Sequence, residues 1–409
     1  MIETKFKQTE LGLIPDDWTI CPLGDVAINS TGLTYSPDNV CSYGTLVLRS
    51  SNIQNDVLCF RDNVFVNMPI PQRAMARKGD VLVCVRNGSK VLIGKSAVVT
   101  KDNMAFGAFM TILRPVNIDE RYLLFLWRSD FVQEQIKTSL GATINQITNA
   151  DIQRYVVVLP PQKEQIRIAN ALSDVDALLV SLDKLIAKKK AIKQGSMQQL
   201  LIGKQRLKGY DKPWVSFRIE ELFDLGNGYT PSKEVASYWN NGTIPWFRME
   251  DIRTNGRILK DSIQHITKKA VKGGGLFPAG SFILSTTATI GEHALLIADS
   301  LANQRFTFLN RKVNRVSDID QMFFFHYLFI IGDWCRANIN DGGLLAVNMT
   351  DLKNYECKIP PTLDEQCAIA SILTDMDAEI TELESKKAKY TAIKQGMMQQ
   401  LLTGKIRLI

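Results

Sequence analysis

The side chains best suited to chemistry in this chain of 409 residues gather in short polar loops. Arg49, Ser50, Asn52, Arg86, Asn87, Ser89 and Lys90 fall in two loops of the first half. Arg248, Glu250, Asp251, Arg253, Thr286, Thr287, Thr289, Gln304 and Arg305 do the same in the second half. Arg, Asn, Gln, Ser and Thr are the side chains that hydrogen-bond base edges in the DNA major groove. Lys and Arg beside them hold phosphates and fix register. The net charge of +7 agrees with a polyanionic partner.

Motifs for covalent or metal chemistry fit poorly. Gly88 to Ser96 imitates a phosphate-binding loop, but five residues separate its glycines where four are needed, and Glu292 stands in the second half where Lys95 stands in the first. Gly94 and Gly291 therefore read as turn glycines. Glu384-Ser-Lys386 has the spacing of a nuclease site but lies in a charged helical stretch. There is no methyltransferase tetrad, no G-x-S-x-G elbow and no H-E-x-x-H helix. His265, His293 and His326 lie far apart in sequence, so no metal constellation is expected, and His326 within FFFHYLF reads as a core residue. Seven cysteines without a C-x-x-C pair argue for a reducing compartment and against disulfides or zinc. The polar N-terminus has no signal-peptide character, and the longest apolar stretch, Met322–Ile331, is too short to span a bilayer. A cytoplasmic binding protein is the expectation.

The elements that position these loops follow from an internal repeat. Gln165–Leu207 aligns without a gap with Gln366–Leu408, 201 residues later, with 24 of 43 positions identical. Pro160-Pro161 and Pro360-Pro361 open the two copies, and Gly203 and Gly404 close them as helix caps. Within the first copy Ile168, Leu172, Val175, Leu179, Leu182 and Ile186 step by four and three. Ile369, Leu373, Met376, Ile380 and Leu383 do so in the second. That is a coiled-coil seam, and the simplest partner for each helix is the other one, antiparallel. The competing expectation is that each helix packs on its own domain.

The segments before the two helices share a skeleton. LRSSNI (Leu48–Ile53) answers FRMEDI (Phe247–Ile252), and RKGDVLV (Arg77–Val83) answers PAGSFIL (Pro278–Leu284). IGKSAVV answers IGEHALL, ERYLLFLW (Glu120–Trp127) answers QMFFFHYL (Gln321–Leu328), and INQITNADI (Ile144–Ile152) answers VNMTDL. The predicted class is α/β (α+β): two similar globular domains with β-rich cores, at 1–158 and 209–358, and two helical spacers at 159–208 and 359–409. A kept framework with different intervening residues suits two readers of two different ligands.

With the paired LPPQKEQIRIANALSDVDALL and IPPTLDEQCAIASILTDMDAEI arms, each followed by AIKQG-x-MQQLL-x-GK-x-RL, the chain resembles the specificity subunits of type I restriction-modification systems. TELGLIPDDWTICPLGDV (Thr9–Val26) and the LRSSNI and IPWFRMEDI loops carry the resemblance further. It implies two target recognition domains, each reading half of a bipartite double-stranded DNA site. It implies that the antiparallel arms set the spacer and dock two methyltransferase subunits, with two restriction subunits as further partners. It also implies a subunit that is not catalytic alone, with S-adenosylmethionine, ATP and Mg2+ held by the partners and no cofactor or metal in this chain. A coiled-coil protein that binds proteins or sugars, and a solitary nuclease, are the alternatives from other classes.

Overall fold

The computed structural model describes residues 5–140, 145–340 and 345–409. Ile144, the first residue of one matched motif, lies outside the described residues. The chain divides into two compact units, one of residues 1–184 with 384–409 and one of residues 185–383. The unit boundary cuts both arms, so each unit holds a globular domain, the start of its own arm and the end of the other.

In the first unit the strands Ser96–Val98, Val81–Cys84, Met110–Pro115 and Ala27–Thr31 lie side by side in that order, all antiparallel. Val81–Cys84 is buried on both faces, which is why it reads as an unbroken apolar run. A second sheet pairs Thr45–Leu48 in parallel with Met104–Phe106. In the second unit Phe223–Asn227, Phe306–Arg311, Phe282–Ser285 and His293–Leu296 repeat the first arrangement. Ile244–Phe247 pairs in parallel with Leu301–Ala302, repeating the second. The two domains share one fold, as their matched motifs require.

One difference lies in the helix behind the main sheet. Gln321–Ala337 is a single helix of 17 residues in the second unit. In the first, Glu120–Trp127 and Asp130–Ser139 are separate helices. Ser129 breaks them with extended backbone, and its hydroxyl donates to Leu126 O at 2.6 Å. Arg128 beside it is tied to Ser96 O at 2.6 Å. Phe329 and Ile330 at the matching place have no polar side chain to make either bond.

The arms are the helices Gln162–Leu200 and Leu363–Leu401, of 39 residues each, so about 58 Å long at the α-helical rise. None of the predicted seam residues is exposed. Ile168, Leu172, Leu182, Ile186, Ile369, Leu373 and Ile380 are buried, and Val175, Leu179, Met376 and Leu383 half-buried. In the first unit Asp176 meets Lys394 at 2.6 Å, and Asp183, seven residues on, meets Lys387, seven back: an antiparallel register. In the second unit Lys193 pairs with Asp377 and Lys189 with Glu379. The competing expectation also holds in part. Ile168, Ala169 and Leu172 join the core of the first domain, and Ile369, Ala370 and Leu373 that of the second.

Gly203 and Gly404 follow the arm ends at φ of +71° and +69°. Each domain is then bolted to the end of the other arm by equivalent clamps. In the first unit, buried Glu164 accepts from Arg407 Nε and Nη2, both at 2.8 Å, and from Trp18 Nε1 at 3.1 Å. In the second, Glu365 accepts from Arg206 Nε at 2.7 Å and Trp214 Nε1 at 3.2 Å.

His326 is fully buried, and its Nε2 lies 3.1 Å from Thr374 Oγ1. It is a core residue, as read from its apolar neighbours. His293 packs edge-on against Phe329 at 4.6 Å. Desolvation pushes His293 down to about 3 and His326 down to about 4, so both are neutral near pH 7.

Candidate nucleic-acid interface

In the first unit Arg49 leaves the end of strand Thr45–Leu48 and opens a single 3-10 turn, Ser50–Asn52. The sequence marked Asn52 as a base reader. The structure instead buries it completely. Its Oδ1 accepts from Arg49 N at 2.9 Å, and its Nδ2 donates to Cys59 O at 3.0 Å and Asp62 O at 3.2 Å. Asn52 holds the loop, and Arg49 is what the loop presents. Arg49 Nη2 donates to Asp62 Oδ2 at 2.9 Å.

The second predicted loop meets the first. Asn87 Nδ2 lies 3.4 Å from Ser50 Oγ, and Asn87 Oδ1 accepts from Ser89 N at 3.0 Å. Arg86 is exposed, with its guanidinium 5.2 Å from the Phe109 ring centroid. Ser89 and Lys90 are exposed at the tip. The sequence reading missed Phe109. Its ring is 57% exposed, and it follows Gly107 in a turn whose composition does not distinguish it from a core strand.

The second unit builds the same corner with different residues. Arg248 caps the helix Met249–Asn255. Asp251 is buried, accepting from Arg248 N and Ile263 N at 2.7 Å each, so it also supports the loop and does not face a ligand. Thr286 is likewise internal: its hydroxyl meets that of Thr307 at 3.1 Å. Thr287 is half-buried and bridges to Ala346, and Thr289 Oγ1 lies 3.4 Å from Ser285 Oγ.

The remaining candidates divide between two hollows. One of about 460 Å³ is lined by Arg248, Glu250, Gln304 and Arg305, with Thr230, Lys233 and Asn303, which the sequence did not single out. Thr230 Oγ1 donates to Gln304 Oε1, orienting that amide. Three cations against one carboxylate make this hollow electropositive. Arg253 and Thr289 line the other, of about 620 Å³, with Glu292 and Arg336. Gly94 and Gly291, at φ of +84° and +87°, are turn glycines, as their spacing implied. Among the described residues no three His, Cys, Asp or Glu side chains stand close enough to hold a metal ion, and no helix is long and apolar enough to cross a membrane.

A family model described as Type I restriction modification DNA specificity domain matches residues 15–194 and again 211–394. The chain belongs to that family. Each match runs over one globular segment and most of the arm that follows it. The type I restriction enzyme EcoprrI specificity subunit of Escherichia coli is 41% identical over 196 residues, which span 48% of this chain and 47% of that protein. The putative type I restriction enzyme MjaX specificity subunit of Methanocaldococcus jannaschii is 29% identical over 99% of this chain and 97% of its own length. Two solved structures share the fold. The type I restriction-modification S subunit from M. genitalium covers 98% of this chain, and 99% of it is covered, at a TM-score of 0.58 and 15% identity. A chain from a study of type I R-M complex assembly and conformational transition covers 96% of this chain, and 99% of it is covered, at 0.61 and 18%.

Proposed function

We propose that this chain is the DNA-reading subunit of a type I restriction-modification system, with each unit reading one half of a bipartite, asymmetric site in double-stranded DNA. The observation that carries the reading is the doubled specificity domain. One framework occurs twice, and its two presenting corners carry different side chains: Arg49, Ser50, Arg86 and Asn87 in one, and Arg248, Gln304 and Arg305 in the other. Different readers imply a target without a palindrome. The readers would enter major grooves on one face of the duplex, so half-sites would lie about one helical turn, roughly 10 bp, apart. Phosphate contacts from Lys90, Lys233 and their neighbours would supply much of the affinity, with steep salt dependence.

The 39-residue arms act as the rod that sets the spacer. They also dock two methylation subunits, which hold S-adenosylmethionine, and two restriction subunits can add ATP- and Mg2+-dependent chemistry. The chain itself carries out no reaction and binds no cofactor or metal. Its DNA partner puts it in the cytoplasm. Exchanging residues 27–143 for the matching segment of a relative with a known target tests the reading. One half-site should change and the other persist. A change in both, or in neither, would defeat the two-reader account.

A further inference from the structure

Arg49 and Arg248 occupy equivalent places in the two domains, each one residue beyond the strand that pairs in parallel. Both are held twice. Their backbone N–H groups are fixed by buried Asn52 and Asp251. Their guanidinium groups are fixed by a carboxylate: Arg49 Nη2 on Asp62 at 2.9 Å, and Arg248 Nη2 on Glu250 at 3.1 Å. Nε is buried without a hydrogen-bond partner in both. Nη1 makes no hydrogen bond among the described residues in either. Each arginine therefore presents the outer edge of its fork, Nη1 and beside it Nη2; in Arg49, Nη2 also donates to Asp62 O at 3.3 Å, a long contact that a base would displace. Each side chain is partly exposed, 34% and 25%.

We infer that Arg49 and Arg248 each read a guanine, one per half-site, and that Asp62 and Glu250 are the positioning residues that aim them. This inference rests on the DNA-reading function proposed above. Two arguments favour a base over a phosphate. A carboxylate beside the guanidinium cancels much of its charge and repels phosphate oxygens, which a phosphate grip would avoid. Its hydrogen-bond directionality survives, and guanine N7 and O6 are neutral acceptors spaced for two parallel N–H donors. The carboxylates differ in origin. Asp62 comes from a later loop, whereas Glu250 lies in the first turn of the helix that Arg248 caps. The arrangement is kept although the residues supplying it are not.

The test reads methylated motifs by single-molecule sequencing of DNA from cells that express the full chain with its methylation subunit. In the unmodified protein each half-site should contain a G·C pair. Arg49→Gln should relax one G·C position in one half-site, and Arg248→Gln one in the other, with discrimination falling on the order of 10- to 100-fold. Asp62→Asn and Glu250→Gln should loosen the same positions as their arginines. Arg49→Lys and Arg248→Lys keep the charge without the fork, so they serve if the glutamine variants fold poorly, and they should relax the same positions. A half-site without any G·C pair would overturn the inference, even with no variant made. Variants that lower methylation evenly with the motif unchanged would mark phosphate contacts and overturn it too. An unmodified protein that directs no motif at all would instead overturn the DNA-reading function, and the inference with it.

Discussion

Arg407 is the residue whose loss the structure predicts most sharply. Its guanidinium lies between Glu164 and Asp17 and 5.6 Å from the Trp18 ring centroid. It makes four hydrogen bonds of 2.7–2.9 Å to the two carboxylates. The Glu164 and Arg407 side chains are only 4% and 10% exposed, so water screens the pair little. Arg407→Ala leaves a buried carboxylate with Trp18 Nε1 and Leu408 N as its remaining donors. Removing one partner of a buried ion pair costs about 3–5 kcal/mol. In a unit of about 200 residues, that lowers Tm by roughly 6–20 °C. Calorimetry of the full chain measures it. Adding Glu164→Gln should recover part of the loss, because the unpaired charge goes with it. Arg206→Ala should act in the same direction on the second unit, and less strongly. Arg206 is 26% exposed, and Pro213 stands where the first unit has Asp17, so among the described residues Glu365 is the one carboxylate that holds it. An Arg407→Ala shift below about 2 °C, or a double variant no more stable than the single, would refute the account of this clamp.

Three further outcomes follow from the same structure. His293 and His326 have values below that of an unfolded histidine, so stability is complete above about pH 6.5 and falls on acidification; for His293 the loss at pH 5 is about 2 kcal/mol. His293→Phe should flatten that slope in thermal unfolding measured from pH 7.5 to 5. Gly404→Ala should destabilise the first unit more than Gly203→Ala destabilises the second. Both carry positive φ, but the added carbon would lie 2.4 Å from Pro15 Cγ at Gly404 and 3.3 Å from the Trp214 ring at Gly203. Leu172→Ala, in the core where the first arm meets its domain, should cost about 2–5 kcal/mol by urea denaturation.

The arms were legible because their signal is periodic and doubled. The seam Ile168–Ile186 names its buried face by spacing alone, and the repeat names its partner. The shared domain fold was legible from matched motifs such as LRSSNI and FRMEDI. The loop chemistry was legible only by residue type. Asn52, Asp251 and Thr286 have the side chains of base readers, yet all three face inward, because the same groups that bind a base also satisfy backbone N–H groups, as Asn52 and Asp251 do, or a buried hydroxyl, as Thr286 does. Sequence spacing cannot say which way such a side chain points. Phe109 reaches Arg86 because Val81–Cys84 pairs antiparallel with Met110–Pro115, and Arg86 N donates to Phe109 O just beyond that ladder; the pairing joins segments distant in sequence, so it had no local signal. The clamps were half visible. The repeat equates Glu164 with Glu365 and Arg206 with Arg407, but the exchange of partners needs the antiparallel arms.

The central claim is that one chain specifies two different half-sites at a fixed spacing. Single-molecule sequencing of DNA from cells expressing the chain with its methylation subunit tests it most directly. The account predicts an N6-methyladenine motif in two unlike parts, separated by an unspecified gap that puts their centres about one helical turn, roughly 10 bp, apart. A palindromic motif, a continuous one, or no motif with both proteins soluble and associated would contradict it.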